Sequence, residues 1–172
     1  MSGLVAEFVR RYAERRVPGA STVVDLWPSG GSPLRHLASG AGAWPDLVVG
    51  VAPWGAQPIE ATLAGRVLPL RDEAAHVRLL KACAGLAPDG AGLFVLSMGF
   101  VASRRRGGVC ASLGEFGLHI EALLGLPRGL LYPDSGPGRL LVCIRPGPSR
   151  APVVARLTRD PASIDEPLSR MA

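Results

Sequence analysis

The sequence has 172 residues, of which 48% are hydrophobic and 19% are charged, and its formal net charge is +5. This length suits a single domain, and a chain this apolar can bury enough surface to exclude intrinsic disorder. The positive charge favours a polyanionic partner such as DNA without requiring one, because arginine supplies nearly all of it, as a GC-rich genome would also produce.

The cysteines and the hydropathy pattern narrow the class further. Cys83, Cys110 and Cys143 are an odd number at wide spacing, with no C-x-x-C pair, so we expect buried free thiols and no disulfide framework. The histidines are isolated and lack metal-ligand spacing, so we predict no metal. No apolar run approaches the roughly 18 residues of a membrane span, and we expect a cytoplasmic protein without a membrane partner.

The first part of the chain predicts two strands and two helices, of which the second is a short helix around residues 34–38. Residues 4–16 carry apolar side chains at helical spacing with arginines mostly on the other side, which predicts an amphipathic helix. Residues 22–24 are a β-branched strand that leads into a glycine-rich turn at residues 28–32. Residues 46–51 predict a second buried strand. A strand followed by a glycine turn and a helix is a geometry typical of nucleotide sites.

The rest of the chain predicts a helix and three further strands. Residues 56–70 carry little periodic signal, whereas residues 72–86 suit a helix with acidic residues in its first turn. Residues 92–97 are the clearest strand. Residues 118–126 and 139–144 predict two strands separated by a region rich in Pro and Gly, as in a hairpin.

This alternation of strands and helices predicts an α/β fold. We expect a three-layer sandwich in which helices cover both faces of a mostly parallel sheet, with an antiparallel C-terminal hairpin at one edge. Residues 153–157 could add an edge strand. The predicted domain covers residues 1–157, and residues 158–172 are predicted to be a C-terminal tail.

Four segments occur in an order that characterises one family of enzymes. They are an opening helix at residues 5–9, the sequence VDLWPSGGS at residues 24–32, DLVVGVAPWG at residues 46–55, and a C-terminal match at residues 86–90, 94–100 and 124–130. Together they resemble the N6-adenine DNA methyltransferases, and especially the modification subunits of type I restriction systems. The resemblance touches most of residues 4–157 and implies a Rossmann-like class I methyltransferase fold.

The resemblance implies a cofactor site at the first of the two central segments. Residues 24–32 are similar to the family's Asp-Pro-x-x-Gly-Ser-Gly turn, so Asp25, Ser29, Gly30 and Gly31 are the predicted ligands of S-adenosylmethionine. A glycine turn lets the backbone approach a ligand, and its amides can hold a carboxylate. Because Ser29 replaces the first glycine and Pro28 lacks an amide proton, a purely structural turn is the alternative.

The second central segment corresponds to the family's catalytic motif, Asn-Pro-Pro followed by an aromatic residue. In the family, the asparagine and the next carbonyl accept hydrogen bonds from the target adenine, and the aromatic ring stacks on the flipped base. The corresponding positions are held by Val51, Ala52, Pro53 and Trp54. Val51 cannot accept such a bond, and Trp54 could stack on a base or simply cover the sheet edge.

The interval between the two segments is also short. About 20 residues separate Asp25 from Asp46, too few for the two strands that the family places there. We therefore predict a shortened, catalytically degenerate relative that lacks two strands and binds nucleic acid or a partner. An active S-adenosylmethionine-dependent DNA methyltransferase is the alternative.

A basic cluster provides the candidate contact with nucleic acid. Arg104, Arg105 and Arg106 follow the strand at residues 92–97, where a phosphate backbone could reach them. A solvated loop is the alternative. A sheet that has lost strands could also expose apolar surface, which would favour a homodimer or a partner subunit.

Overall fold

A computed structural model describes residues 3–20, 22–25, 45–51, 59–63, 66–70, 83, 85–97, 113–130 and 138–171, with only the backbone described for residues 59–63 and 66–70. The elements are α1 (Gly3–Arg16), β1 (Val23–Asp25), β2 (Leu47–Val51), β3 (Ile59–Leu63), β4 (Arg66–Leu70), β5 (Ala91–Ser97), β6 (Leu118–Gly125), β7 (Arg139–Pro146), β8 (Val153–Arg156), a 3-10 turn (Pro161–Ile164) and α2 (Asp165–Arg170).

Six strands form the central sheet in the order β1-β2-β5-β7-β6-β8. The pairs β1/β2, β2/β5 and β6/β8 are parallel, whereas β7 is antiparallel to both of its neighbours. The predicted mostly parallel sheet, its antiparallel C-terminal hairpin and its added edge strand are therefore confirmed. Among the described residues, no strand pairs with the outer side of β1.

One face of the sheet is covered by α1, as its amphipathic pattern predicts. The helix buries an apolar stripe formed by Leu4, Val5, Phe8, Val9 and Tyr12. The stripe belongs to one hydrophobic core with alternate residues of the strands, among them Val49, Leu93, Val95, Leu141 and Cys143. Full burial of each large apolar side chain stabilises the fold by about 1.5–3 kcal/mol, which makes this layer a major source of stability.

The other face of the sheet is packed as well. A Cβ atom placed on Gly92 would lie 2.7 Å from Sγ of the helical Cys83 and 2.5 Å from the ring of Phe94. These distances are too short for real contacts, so the residue must be glycine for the helix and the ring to approach the strand. The sheet is thus covered on both faces. The predicted helix over residues 72–86 otherwise lies mostly outside the described residues.

The buried thiols give a direct test of this core. Cys83 and Cys143 are free and buried, and burial raises the pKa of both thiols, to which the Glu121 carboxylate adds in the case of Cys143. In a Cys110→Ser background, we expect neither thiol to react with an aromatic disulfide reagent at pH 8 until urea unfolds the protein, because the thiolate is the reactive form. Reaction of one equivalent in the native state would contradict this packing.

Residues 56–70 contain structure that their weak periodicity does not predict. β3 and β4 pair antiparallel from Ile59 opposite Leu70 to Leu63 opposite Arg66. They form a two-stranded sheet of their own, separate from the central sheet. Residues 59–63 and 66–70 are therefore two paired antiparallel strands.

The segment predicted as a C-terminal tail contains the 3-10 turn and α2. Asp160 caps the 3-10 turn by accepting a hydrogen bond from the amide of Ala162 at 2.9 Å. The turn and α2 then bury Ile164, Leu168 and Met171 in the same core as α1. Burial of these three side chains makes the segment part of the packed domain, which its polar composition conceals.

Candidate functional site

Three parallel strands end at one edge of the sheet, which we call the carboxyl edge. β1 ends at Asp25, β2 at Val51 and β5 at Ser97. Asp25 is paired with Val49, so Val51 extends about 7 Å farther along the strand direction, at about 3.3 Å per residue. In open α/β sheets, ligands bind outside the carboxyl ends of the strands, so this edge is the candidate site.

Asp25 is the acidic residue that the fold brings to this edge. Its side chain is buried, with 7% exposed. Paired strand residues share a face and side chains alternate along a strand, so Asp25 lies on the same face as Val49 and Val51. A buried carboxylate at a strand end can hold a ligand's ammonium or hydroxyl group. This is a role that the sequence predicts for it towards the cofactor.

Asp46 joins the other ends of the same two strands. Its carboxylate accepts a hydrogen bond from the amide of Thr22 at 3.0 Å, and the amides of Asp46 and Leu47 both donate to the carbonyl oxygen of Thr22. These three hydrogen bonds fix the parallel register of β1 and β2. The relative positions of Asp25 and Val51 at the carboxyl edge follow from it.

Val51 presents a hydrocarbon surface at the candidate site. It lies opposite Val95 of β5, is partly buried and packs against the hydrophobic core. An isopropyl group neither donates nor accepts a hydrogen bond. Asp25 and Val51 are the predicted site residues that the structure describes; Ser29, Gly30, Gly31, Ala52, Pro53, Trp54, Arg104, Arg105 and Arg106 lie outside the described residues.

A second polar centre lies near the opposite edge of the sheet, where β5, β6 and β8 begin. It is not among the sites that the sequence predicts. The Glu121 carboxylate accepts hydrogen bonds from the hydroxyl of Tyr12 and from Nη2 of Arg16, the latter at 2.5 Å. Nη1 of Arg145 lies 3.9 Å from the same carboxylate. Burial, reinforced by Cys143 and by Glu121, raises the pKa of Tyr12 well above its usual value, so its hydroxyl remains a donor.

A bulge in β6 explains how Glu121 reaches its partners. Ile120 pairs with Ile144 and Ala122 with Cys143, so Glu121 is an extra residue on one strand. A bulge bends its strand and redirects the local side chains. Only the polar interruption at residues 119 and 121 hints at this in the sequence, and it does not identify the partners.

Other functional centres can be assessed only where the structure describes them. Within those ranges, no three His, Cys, Asp or Glu side chains come together as metal ligands. No helix in the described part of the chain is both long and apolar enough to cross a membrane.

Comparisons with known proteins identify the fold. No family model matches the sequence, and no curated protein matches it. The chain is similar to a solved structure from Listeria monocytogenes that is described provisionally as a class I S-adenosylmethionine-dependent methyltransferase, with a TM-score of 0.66 and 15% sequence identity. The match covers 97% of this chain and 69% of that chain. The likeness shows the fold, which is the predicted Rossmann-like class I methyltransferase fold.

Proposed function

We propose that this protein is a degenerate, cytoplasmic relative of the N6-adenine DNA methyltransferases that binds nucleic acid or a partner subunit and does not transfer methyl groups. The observation that carries the proposal is Val51 at the end of β2. Methylation of an adenine amino group needs a hydrogen-bond acceptor at the position that corresponds to Val51 in the family's motif. A valine that packs against the core cannot supply it.

The cofactor side of the site fits S-adenosylmethionine only in part. The buried carboxylate of Asp25 suits the cofactor's ammonium group. However, β1 has no outer neighbour among the described strands, and in the family the next two strands carry the groups that hold the ribose and adenine. Because a tight site must enclose most of its ligand, we expect weak cofactor binding or none.

Calorimetric titration with S-adenosylmethionine and S-adenosylhomocysteine tests this proposal. The Gly31→Asp variant serves as the control, because it places a side chain and a negative charge in the predicted glycine turn. If neither ligand produces heat of binding, the result supports a catalytically degenerate domain. Micromolar binding that disappears in the variant would overturn the proposal in favour of the alternative.

That alternative, an active S-adenosylmethionine-dependent DNA methyltransferase, is favoured by one observation. The acidic residue at the end of β1 is present and buried at the carboxyl edge, where the cofactor is expected. Transfer of a labelled methyl group to adenine-containing duplex DNA distinguishes the two candidates. Transfer that exceeds that of a heat-inactivated sample would establish the alternative.

Restoring the family's asparagine is expected to destabilise the protein without producing activity. Val51→Asn places an amide where an isopropyl group packs against the core, so we expect about 1–3 kcal/mol less free energy of unfolding in urea. Val154→Asn is the matched control, because Val154 on β8 is 61% exposed and should change by less than about 0.5 kcal/mol. Methyl transfer to DNA by Val51→Asn would contradict the inferred loss of the cofactor wall.

Binding to DNA is the nucleic-acid arm of the proposal, and it rests on Arg104, Arg105 and Arg106. Fluorescence anisotropy with a labelled duplex should show affinity that falls as salt rises, because bound arginines release counterions from phosphates. Replacing all three by glutamine should weaken binding and reduce the salt dependence. The matched control replaces the exposed Arg15, Arg156 and Arg159 instead. If wild-type protein does not bind DNA, the proposal is reduced to a partner subunit or a homodimer, which analytical ultracentrifugation can detect.

A further inference from the structure

A cavity of about 370 Å³ opens at the edge of the sheet opposite the carboxyl edge. Its walls come from several elements that meet there: Asp89 before β5, His119 at the start of β6, Arg145 near the end of β7 and Val153 at the start of β8. Because β5, β6 and β8 begin at the edge where β1 and β2 also begin, the cavity is separate from the candidate site at Asp25 and Val51. Its volume suits a small ligand.

The charge of the cavity favours an anion. Arg16, Arg145, Arg150 and Arg170 line it, whereas Asp89 and Glu121 are its acidic residues. Arg16 is paired with Glu121, and Arg170 is paired with Glu166, so Arg145, Arg150 and Asp89 leave a balance of +1. Glu121 already accepts hydrogen bonds from Tyr12 and Arg16.

Several nitrogen atoms around the cavity are not fully used by the described part of the protein. Arg150 is exposed and has no hydrogen-bond or ion-pair partner among the described residues. Arg145 donates through Nη2 to the carbonyl oxygen of Asp89 at 3.0 Å, which leaves other donors on its guanidinium group. Nε of Arg16 and Nδ1 of His119 are buried without a partner in the described structure. Unpaired buried polar atoms are uncommon, so this concentration at one cavity is informative.

We propose that this cavity binds a small organic phosphate through Arg145 and Arg150. Guanidinium groups match the planar oxygen pairs of a phosphate and can hold them with two parallel hydrogen bonds. The cavity also has an apolar wall against which an organic moiety can pack, formed by Pro88, Pro146, Pro148 and Met171. A phosphate with a compact organic group meets both surfaces. Binding at this cavity does not require that the site at the carboxyl edge binds S-adenosylmethionine.

Calorimetric titration with AMP, adenosine and pyrophosphate tests the proposal. We expect AMP and pyrophosphate to bind and adenosine not to bind, because the arginines recognise the phosphate. Arg150→Gln should weaken the affinity for AMP at least about tenfold, which is the effect expected from the loss of one charged contact. Arg156→Gln is the matched control, since Arg156 is also exposed but does not line the cavity.

Each further outcome has a definite meaning. Arg150 lies in an exposed connection, so its replacement should leave the circular dichroism spectrum unchanged. The charge reversal Arg150→Glu should abolish binding. Absence of binding by AMP and by pyrophosphate at millimolar concentration would overturn the proposal. Equal weakening in Arg150→Gln and Arg156→Gln would also overturn it, because it would indicate attraction by net charge alone.

Discussion

Replacing Glu121 with glutamine is expected to lower the free energy of unfolding by about 3 kcal/mol. The exchange preserves the shape of the side chain but removes the negative charge that holds Arg16 at 2.5 Å and lies near Arg145. Glu121 is 10% exposed, and Arg145 is 15% exposed, so water can replace the lost partner only poorly. We place the effect at the lower end of the range for broken buried pairs because Arg16 is 26% exposed. Urea denaturation at neutral pH measures it.

Glu166→Gln provides the matched control for this prediction. It makes the same chemical change in an ion pair with Arg170 in which the two side chains are 72% and 50% exposed. Exposed pairs contribute little, so the change should be below about 0.5 kcal/mol. If the two variants lose equal stability, Glu121 does not form a buried electrostatic centre with Arg16 and Arg145.

The contacts of Glu121 with Tyr12, Arg16 and Arg145 could not be predicted from the sequence. Tyr12 and Glu121 are 109 positions apart, and no local pattern connects them. Tyr12 also fits the apolar stripe of α1, so its hydroxyl carries no separate signal in the sequence. The bulge that inserts Glu121 into β6 depends on pairing with β7, which is a property of the assembled sheet.

Elements with strong local periodicity were predicted well. α1, β2 and β5 are set by spacing that follows directly from helix and strand geometry, and each was found at nearly the predicted residues. The pair of strands β3 and β4 was missed because residues 56–70 carry little periodic signal. Pro69 inside β4 also normally argues against a strand. Each strand of an isolated pair has an unpaired side, where a residue without an amide proton costs no hydrogen bond.

The sequence predicts at which edge of the sheet the candidate site lies, but not how its side chains pack. Two strands that each end in a recognisable motif must bring those ends together if they are parallel neighbours, and the register of Asp25 with Val49 does so. The sequence also shows that Val51 lacks an acceptor. It does not show that this side chain packs against the core, although that packing decides what a substitution there would cost.

Removal of all residues after Leu157 is expected to abolish cooperative folding. The deletion takes away Ile164, Leu168 and Met171, each at most 5% exposed and all part of the core shared with α1. Truncating one large buried side chain to alanine typically costs about 2–5 kcal/mol, so loss of all three approaches or exceeds the usual stability of about 5–15 kcal/mol. Thermal unfolding followed by circular dichroism should lack a cooperative transition.

Point variants separate lost packing from a general effect of shortening the chain. Leu168→Ala should lower the free energy of unfolding by about 2–5 kcal/mol, because Leu168 is 2% exposed and its replacement leaves a cavity in the core. Ser169→Ala, at the next and exposed position, should change it by less than about 0.5 kcal/mol. A shortened chain that still melts cooperatively, together with equal effects of the two point variants, would mean that the predicted domain limit at residue 157 is correct and that α2 is only an appendage.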